Sequence, residues 1–287
     1  MECIVAKTAG FCFGVQRAVD MAFEAAKEAG DNPVYTYGEI IHNEEVVRSL
    51  EENGAKKVDT LEDLLKMPKG TVIIRSHGIT DAEENEITNA GFSIIDATCP
   101  FVKKIHSLVR DHSKNGEFII IVGDPDHPEV IGIKGRCVTD RVFVLKDEAS
   151  AADFTLPEGV QICVVAQTTF NVEKFNKIVE ILNKKNYNDR VCSLNTICNA
   201  TQERQNEAKS LASSVEAMIV IGGVHSSNTQ KLYEICSKEC RHTFYIQTKD
   251  GINSQELVNI SSVGITAGAS TPKNIIEEVQ KYVRNEL

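Results

Sequence analysis

The chain is organised by a repeated change of hydrophobic period. Short runs of β-branched and apolar residues, which suit buried strands, give way to a polar or glycine-containing loop and then to apolar positions at helical spacing. Three copies are clear: Thr71 to Ile74 running into Arg75-Ser-His-Gly, Phe118 to Val122 into Gly-Asp-Pro-Asp-His-Pro-Glu, and Ala217 to Ile221 into Gly-Gly-Val-His-Ser-Ser-Asn. Weaker copies begin at Val5, Ser93, Ile162 and Val263. Such alternation predicts an α/β chain with mostly parallel sheets covered by helices.

That architecture directs attention to the strand ends. In open α/β sheets, ligands gather beyond the carboxyl ends of strands, beside helix N-termini whose free N–H groups suit anions. His42, His77, Cys99, His127, Thr168, Cys198, Ser226 and Ser270 all fall where a strand or loop gives way to a helical segment. Helix capping accounts for the Ser and Thr residues, but not for the His and Cys. Cys12, Cys99 and Cys198 each occupy a loop before a helix, a setting that favours the thiolate a soft metal requires. Their wide spacing matches none of the compact cysteine runs of ferredoxins, so on spacing alone metal ligation and buried structural cysteine both stay open.

Other cysteines read more plainly. Cys236 and Cys240 continue an apolar helical stripe with Leu232 and Ile235, and Cys163 lies inside an apolar strand, so all three are expected in the core. Cys192 is the cysteine most able to replace Cys198 in a ligand set. His42, His77 and His127, with Ser226, Ser227, Asn228 and Ser270, supply N–H and hydroxyl donors suited to a diphosphate. Glu129 and Thr168 have ordinary explanations too, as a helix-dipole acid and a cap. No phosphate loop of the Walker type and no dinucleotide fingerprint follows a strand.

Composition narrows the classes. A chain of 287 residues, 42% hydrophobic, can bury one large core or two to three smaller ones. Its formal net charge of −10 argues against a broad nucleic-acid surface. No apolar run approaches the roughly 20 residues that cross a bilayer, and the opening Met-Glu-Cys-Ile lacks the form of a secretory leader. A cytoplasmic protein is expected, with no nucleic-acid or membrane partner. Nine cysteines, an odd number, then point to thiols or metal ligands more than to a disulfide framework.

Taken in order, Gly-Phe-Cys-Phe-Gly-Val, Ile-His-Asn, Ser-His-Gly, Asp-Ala-Thr-Cys-Pro, Gly-Asp-Pro-Asp-His-Pro-Glu-Val, Gln-Thr-Thr, Ser-Ser-Asn and Thr-Ala-Gly-Ala-Ser resemble the 4-hydroxy-3-methylbut-2-enyl diphosphate reductase family of isoprenoid precursor synthesis. One such tripeptide is uninformative; eight in register, from the first strand to about Lys273, are specific. The resemblance implies three similar small α/β domains around a central cluster-containing cavity, here 1–97 with Cys12, 98–192 with Cys99 and 193–287 with Cys198. It implies one 4Fe-4S cluster on Cys12, Cys99 and Cys198, leaving one iron open. The diphosphate is then held by His42, His77, His127, Ser226, Ser227, Asn228 and Ser270, with Thr168 close to the substrate. Glu129 with Thr168 forms the proton relay.

The implied reaction is reductive dehydration of an allylic diphosphate alcohol to isopentenyl and dimethylallyl diphosphates, with electrons from an external donor such as ferredoxin or flavodoxin. The sequence departs from some members at Phe13, where they carry small residues, and at Arg75-Ser, where they carry Ser-Ala. Two other readings use the same residues: a zinc-dependent hydrolase of a phosphorylated small molecule, and a non-enzymatic iron–sulfur sensor. The sensor should carry a basic nucleic-acid face, which the acidic composition does not provide.

Overall fold

Strand and helix alternate through the residues that the computed structural model describes, 1–155, 158–185 and 190–285. The chain opens with β1 (Glu2–Val5) and α1 (Phe13–Glu28). A first run of four strand–helix pairs follows: β2 (Val34–Tyr37), α2 (Glu44–Glu52), β3 (Ala55–Val58), α3 (Leu61–Leu65), β4 (Thr71–Ile74), α4 (Asp81–Asn89), β5 (Ser93–Asp96) and α5 (Pro100–Lys114). A second run repeats it: β6 (Phe118–Val122), α6 (Pro128–Lys134), β7 (Val142–Leu145), α7 (Glu148–Asp153), β8 (Ile162–Ala166), α8 (Val172–Lys184), β9 (Val191–Ser193) and α9 (Asn199–Ala212). The last run is β10 (Ala217–Ile221), α10 (Ser227–Glu239), β11 (His242–Ile246), two short 3-10 turns, β12 (Ser262–Ala267) and α11 (Lys273–Asn285).

These runs form three four-stranded parallel sheets. Sheet I has the order β3-β2-β4-β5, sheet II the order β7-β6-β8-β9 and sheet III the order β11-β10-β12-β1. Each sheet places the first strand of its run beside the third, with the second on one edge and a fourth on the other. In sheet III the fourth place is taken by β1, paired from Glu2 with Ser262 to Val5 with Ile265. Residues 2–5, at the start of the span 1–97, thus pair into the sheet formed by the last span. Periodicity marks a strand but carries no information on its distant partner.

The central strands are buried because helices cover both faces. Ile119, Ile120 and Ile121 of β6 have no exposed surface, and β8 and β10 are buried throughout. Each such isoleucine stabilises the fold by about 1.5–3 kcal/mol. Edge strands differ. In β3, Ala55 and Val58 face inward while Lys56 is exposed, a charged short edge that resists pairing with another chain. Helix starts are set by ordinary caps: Thr80 and Glu83 form a reciprocal capping box on α4, with Glu83 N donating to Thr80 Oγ1 at 3.1 Å and Thr80 N to Glu83 Oε2 at 2.8 Å.

The chain divides into two compact units, one of residues 1–16, 41–48 and 199–287, the other of 17–40 and 49–198. Sheet III belongs to the first, sheets I and II to the second. Within the second unit, Asp81 at the start of α4 accepts from Arg110 of α5 at 2.8 Å, and Arg136 after α6 donates from Nε to Ile79 O at 2.9 Å and pairs with Glu84 at 2.7 Å. These bonds tie the helices that begin at the ends of β4, β5 and β6. No helix among the described residues is long and apolar enough to cross a membrane.

Candidate functional site

In the unit that holds sheets I and II, the strand ends bring together His77, Cys99, His127, Glu129, Thr168 and Cys198. The loop after β4 turns at Gly78, whose φ of +75° is in the left-handed region, and the buried His106 ring lies so close that a side chain there would reach 2.6 Å from its Cε1 atom. That packing holds the preceding His77, whose ring meets His127 edge to face at 5.3 Å between centroids. His127 sits at the N-cap of α6, and its Nδ1 accepts from Glu129 N at 3.1 Å. Capping thus accounts for one histidine after all. It also fixes the neutral ring's tautomer, since an accepting Nδ1 leaves the proton on Nε2.

Glu129 is 1% exposed, and Thr168 of the loop after β8 is its hydrogen-bonding partner. Thr168 N donates to Oε1 at 2.6 Å and Thr168 Oγ1 to Oε2 at 2.7 Å. Burial pushes the carboxyl up to about 7, against the two Thr168 bonds, which favour the anion. A carboxyl so placed can give and regain a proton near neutral pH. Thr168 is not a cap, because Asn171 caps α8. The helix-dipole explanation for Glu129 does not account for its burial or its partner.

In the unit that holds sheet III, the corresponding positions are hydroxyls and an amide. Ser226 caps α10, accepting from Thr229 N at 3.3 Å, and Ser227 is the first helical residue, half-buried. Ser270 Oγ, from the loop after β12, donates to His42 O at 3.1 Å and lies 3.4 Å from Ser226 Oγ. Gly223 lets this loop approach: a Cβ there would stand 2.8 Å from His42 O. Asn228, 4% exposed, finds no hydrogen-bond partner for Nδ2 or Oδ1 among the described residues. A buried amide with both ends open costs stability unless a ligand completes it.

The three cysteines share one construction. Each follows the edge strand that fills the fourth place of a sheet, each precedes a helix, and each is half-buried. In each, the cysteine amide donates to a carbonyl at the end of the adjacent strand: Cys99 N to Ser76 O at 2.9 Å, Cys198 N to Thr168 O at 3.0 Å and Cys12 N to Ala269 O at 3.3 Å. The remaining cysteines lack this setting. Cys163 and Cys236 have no exposed surface, and burial pushes both thiols up to about 12. Burial likewise drives Cys137 to about 11, while Cys240 packs in the core beside Cys236. Cys192, the rival to Cys198, lies in the middle of β9 and is exposed, paired with Cys163 rather than at a strand end. The three loop cysteines fit a soft metal or cluster; the buried, neutral thiols do not.

Sequence reasoning missed His106 and two residues of α9, Arg204 and Glu207. Arg204 is 3% exposed and lies on a helical face with Thr201, Gln205, Ala208 and Ala212. The available signal was a helix whose inward positions are polar, an arrangement that burial permits only when the polar groups are bonded.

A family model described as LytB protein matches residues 3–284 of this chain. A 4-hydroxy-3-methylbut-2-enyl diphosphate reductase of Caldanaerobacter subterraneus is 45% identical over 286 residues, covering 99% of this chain and 97% of that protein. Among solved structures, the E-1-hydroxy-2-methyl-but-2-enyl-4-diphosphate reductase of Plasmodium falciparum matches with a TM-score of 0.90 at 29% identity, over 99% of this chain and 87% of that one. A second, described as (E)-4-hydroxy-3-methyl-but-2-enyl diphosphate reductase, the terminal enzyme of the non-mevalonate pathway, matches with a TM-score of 0.69 at 39% identity over the whole of both chains. With the match spanning nearly every residue, the chain belongs to the LytB protein family.

Proposed function

We propose that this chain is a 4-hydroxy-3-methylbut-2-enyl diphosphate reductase, which converts its allylic alcohol substrate to isopentenyl and dimethylallyl diphosphates. The carbon–oxygen bond breaks, a carbon–hydrogen bond forms and water leaves, so the balance requires two electrons and two protons. Held by Cys12, Cys99 and Cys198, a 4Fe-4S cluster with one iron lacking a protein thiolate would supply those electrons and a Lewis-acidic site. An external donor such as ferredoxin or flavodoxin would replenish them.

The protein's own part is grip and proton delivery. Ser226, Ser227, Asn228 and Ser270 offer hydroxyl and amide donors to the diphosphate, and the open Asn228 amide supports that role. His42, His77 and His127 add ring N–H donors, His127 through Nε2, since its Nδ1 accepts the capping bond. Fixing the diphosphate at one end places the reacting carbon without further ordering. Glu129 supplies the proton for the departing hydroxide. Thr168 Oγ1 can accept from a protonated Glu129 while giving its own proton onward, so the pair moves a proton without moving a heavy atom.

One observation carries the reading. Thr168 bonds the buried carboxyl through its amide and hydroxyl, and its carbonyl accepts from the Cys198 amide, so proton source and metal ligand share one residue's backbone. The test is anaerobic turnover of the allylic diphosphate with a reduced viologen dye on iron- and sulfide-reconstituted protein. Products that form only with reductant are expected; diphosphate hydrolysis without reductant would overturn the proposal.

A further inference from the structure

The loop that carries Cys12 is the longest of the three, running from residue 6 to 12, against 97–99 for Cys99 and 194–198 for Cys198. Its amide bond to the neighbouring strand end is also the longest, 3.3 Å. A loop of that length leaves several backbone groups without sheet partners, and they must be satisfied elsewhere. Here they are satisfied by one face of α9. Arg204 donates from Nε to Thr8 O at 2.9 Å and from Nη2 to Gly10 O at 2.8 Å, with a weaker bond to Ala200 O at 3.4 Å in its own helix. Glu207, one turn on, accepts from Lys7 N and Thr8 N at 2.8 Å each and from Thr8 Oγ1 at 2.5 Å. Amides of the loop go to the acid and carbonyls to the guanidinium. The planar fork of Arg204 spans two carbonyls two residues apart, which a lysine could not do.

The loop between these anchors has little freedom of its own. Gly10 adopts φ +101°, and a side chain there would meet Ile276 Cδ1 at 3.1 Å and Thr271 O at 3.4 Å. Two residues beyond that turn is Cys12. The clamp helix α9, in turn, begins at Asn199, immediately after Cys198. Its charged residues therefore hold the backbone that leads to Cys12.

We infer that Arg204 and Glu207 are positioning residues for the metal site, clamping residues 7–10 so that Cys12 is held where its thiolate can keep iron. The inference rests on the proposed 4Fe-4S ligation by Cys12, Cys99 and Cys198. Supporting groups behind metal ligands typically tune affinity about 10- to 100-fold when removed. A clamp of this kind acts on retention of iron at Cys12 and not on the diphosphate donors of Ser226, Asn228 and Ser270.

The test uses full-length Arg204→Gln, Arg204→Lys and Glu207→Gln chains, with exposed Asn206→Ala on the same helix as control. Hydrogen exchange across residues 6–13 is followed in the metal-free protein, and chelator-driven loss of iron is followed by visible absorbance after anaerobic reconstitution. In Arg204→Gln and Glu207→Gln, exchange at 6–13 should rise about tenfold, and iron should leave about 10- to 100-fold faster. Exchange in sheets I and II should be unchanged. Arg204→Lys should lie between parent and Arg204→Gln, and Asn206→Ala should match the parent. Faster exchange with unchanged iron loss would reduce the clamp to a plain structural strap and overturn the inference, as would unchanged exchange. Should Arg204→Gln fail to fold, Glu207→Gln, which removes one charge from a half-exposed side chain, decides the matter. A parent chain that takes up no iron, or loses it no faster after Cys12→Ser, would instead overturn the ligation on which the clamp depends.

Discussion

Sheets II and III are built to one plan and equipped with different chemistry. In sheet II the loops and helix starts after the first and third strands carry His127, Glu129 and Thr168; in sheet III the same two places carry Ser226, Asn228 and Ser270. The first set includes a titrating group, since burial pushes the Glu129 carboxyl up to about 7. The second set is hydroxyls and an amide, which keep one protonation state across the physiological range. The fold thus supplies equivalent places, and local sequence decides whether a place carries a titrating carboxyl or only hydroxyls and an amide. Dependence on pH should enter through sheet II.

The largest test of that contrast is Glu129→Gln, which keeps shape and cannot exchange a proton. Turnover with a fully reduced artificial donor should fall about 10²- to 10⁴-fold while diphosphate affinity stays close to the parent's. In the parent, turnover should decline as pH rises through about 7, because the buried carboxyl then loses the proton it must donate. Near-normal turnover in the glutamine variant would end the division of labour. Asn228→Ala should do the reverse: affinity for the diphosphate weakens about tenfold, with the pH profile of turnover unmoved. Titration calorimetry of the iron-loaded variant with the allylic diphosphate measures it, and a shifted pH profile would count against the assignment.

The smallest effect is on stability. Glu129 holds a proton in the folded state that it has released when unfolded, because its folded value of about 7 lies above the ordinary 4.5. Its contribution is fully present below about 4.5 and is lost as pH rises through about 7. At pH 8, metal-free Glu129→Gln should therefore be more stable than the parent by about 1 kcal/mol after allowing for a weakened bond to Thr168, and unfold at a higher temperature. Equal stabilities at pH 8 would show that the parent's carboxylate is already well satisfied there.

The central strands were legible in the sequence because burial on both faces writes a continuous apolar run: residues 71–74, 118–122 and 217–221 are β4, β6 and β10. Edge strands such as β3, with Lys56 and Lys57 between its apolar ends, write no such run and were not individually evident. The strand-end residues could be read as candidates because βα loops put them there, and the eight motifs in register gave them roles. What local pattern could not give was partnership. That β1 closes sheet III, that Thr168 satisfies Glu129, and that Arg204 reaches back to Thr8 and Gly10 are contacts across 39 to about 260 residues of chain. The burial of Arg204 on a helix with few apolar positions was the one trace such a contact left.

The place of β1 in sheet III bears on the order in which the molecule can be made. Sheets I and II draw their strands from consecutive stretches ending at Asp96 and Ser193, so each can close as soon as it leaves the ribosome. The strand that leads to Cys12 emerges first, yet its ladder partners lie at 262–265. Closing a loop of that length is slow compared with neighbouring pairings. Cys99 and Cys198 thus follow strands whose partners are already made, while the strand before Cys12 waits for residues 262–265. The metal site proposed on all three could assemble only once those residues are made.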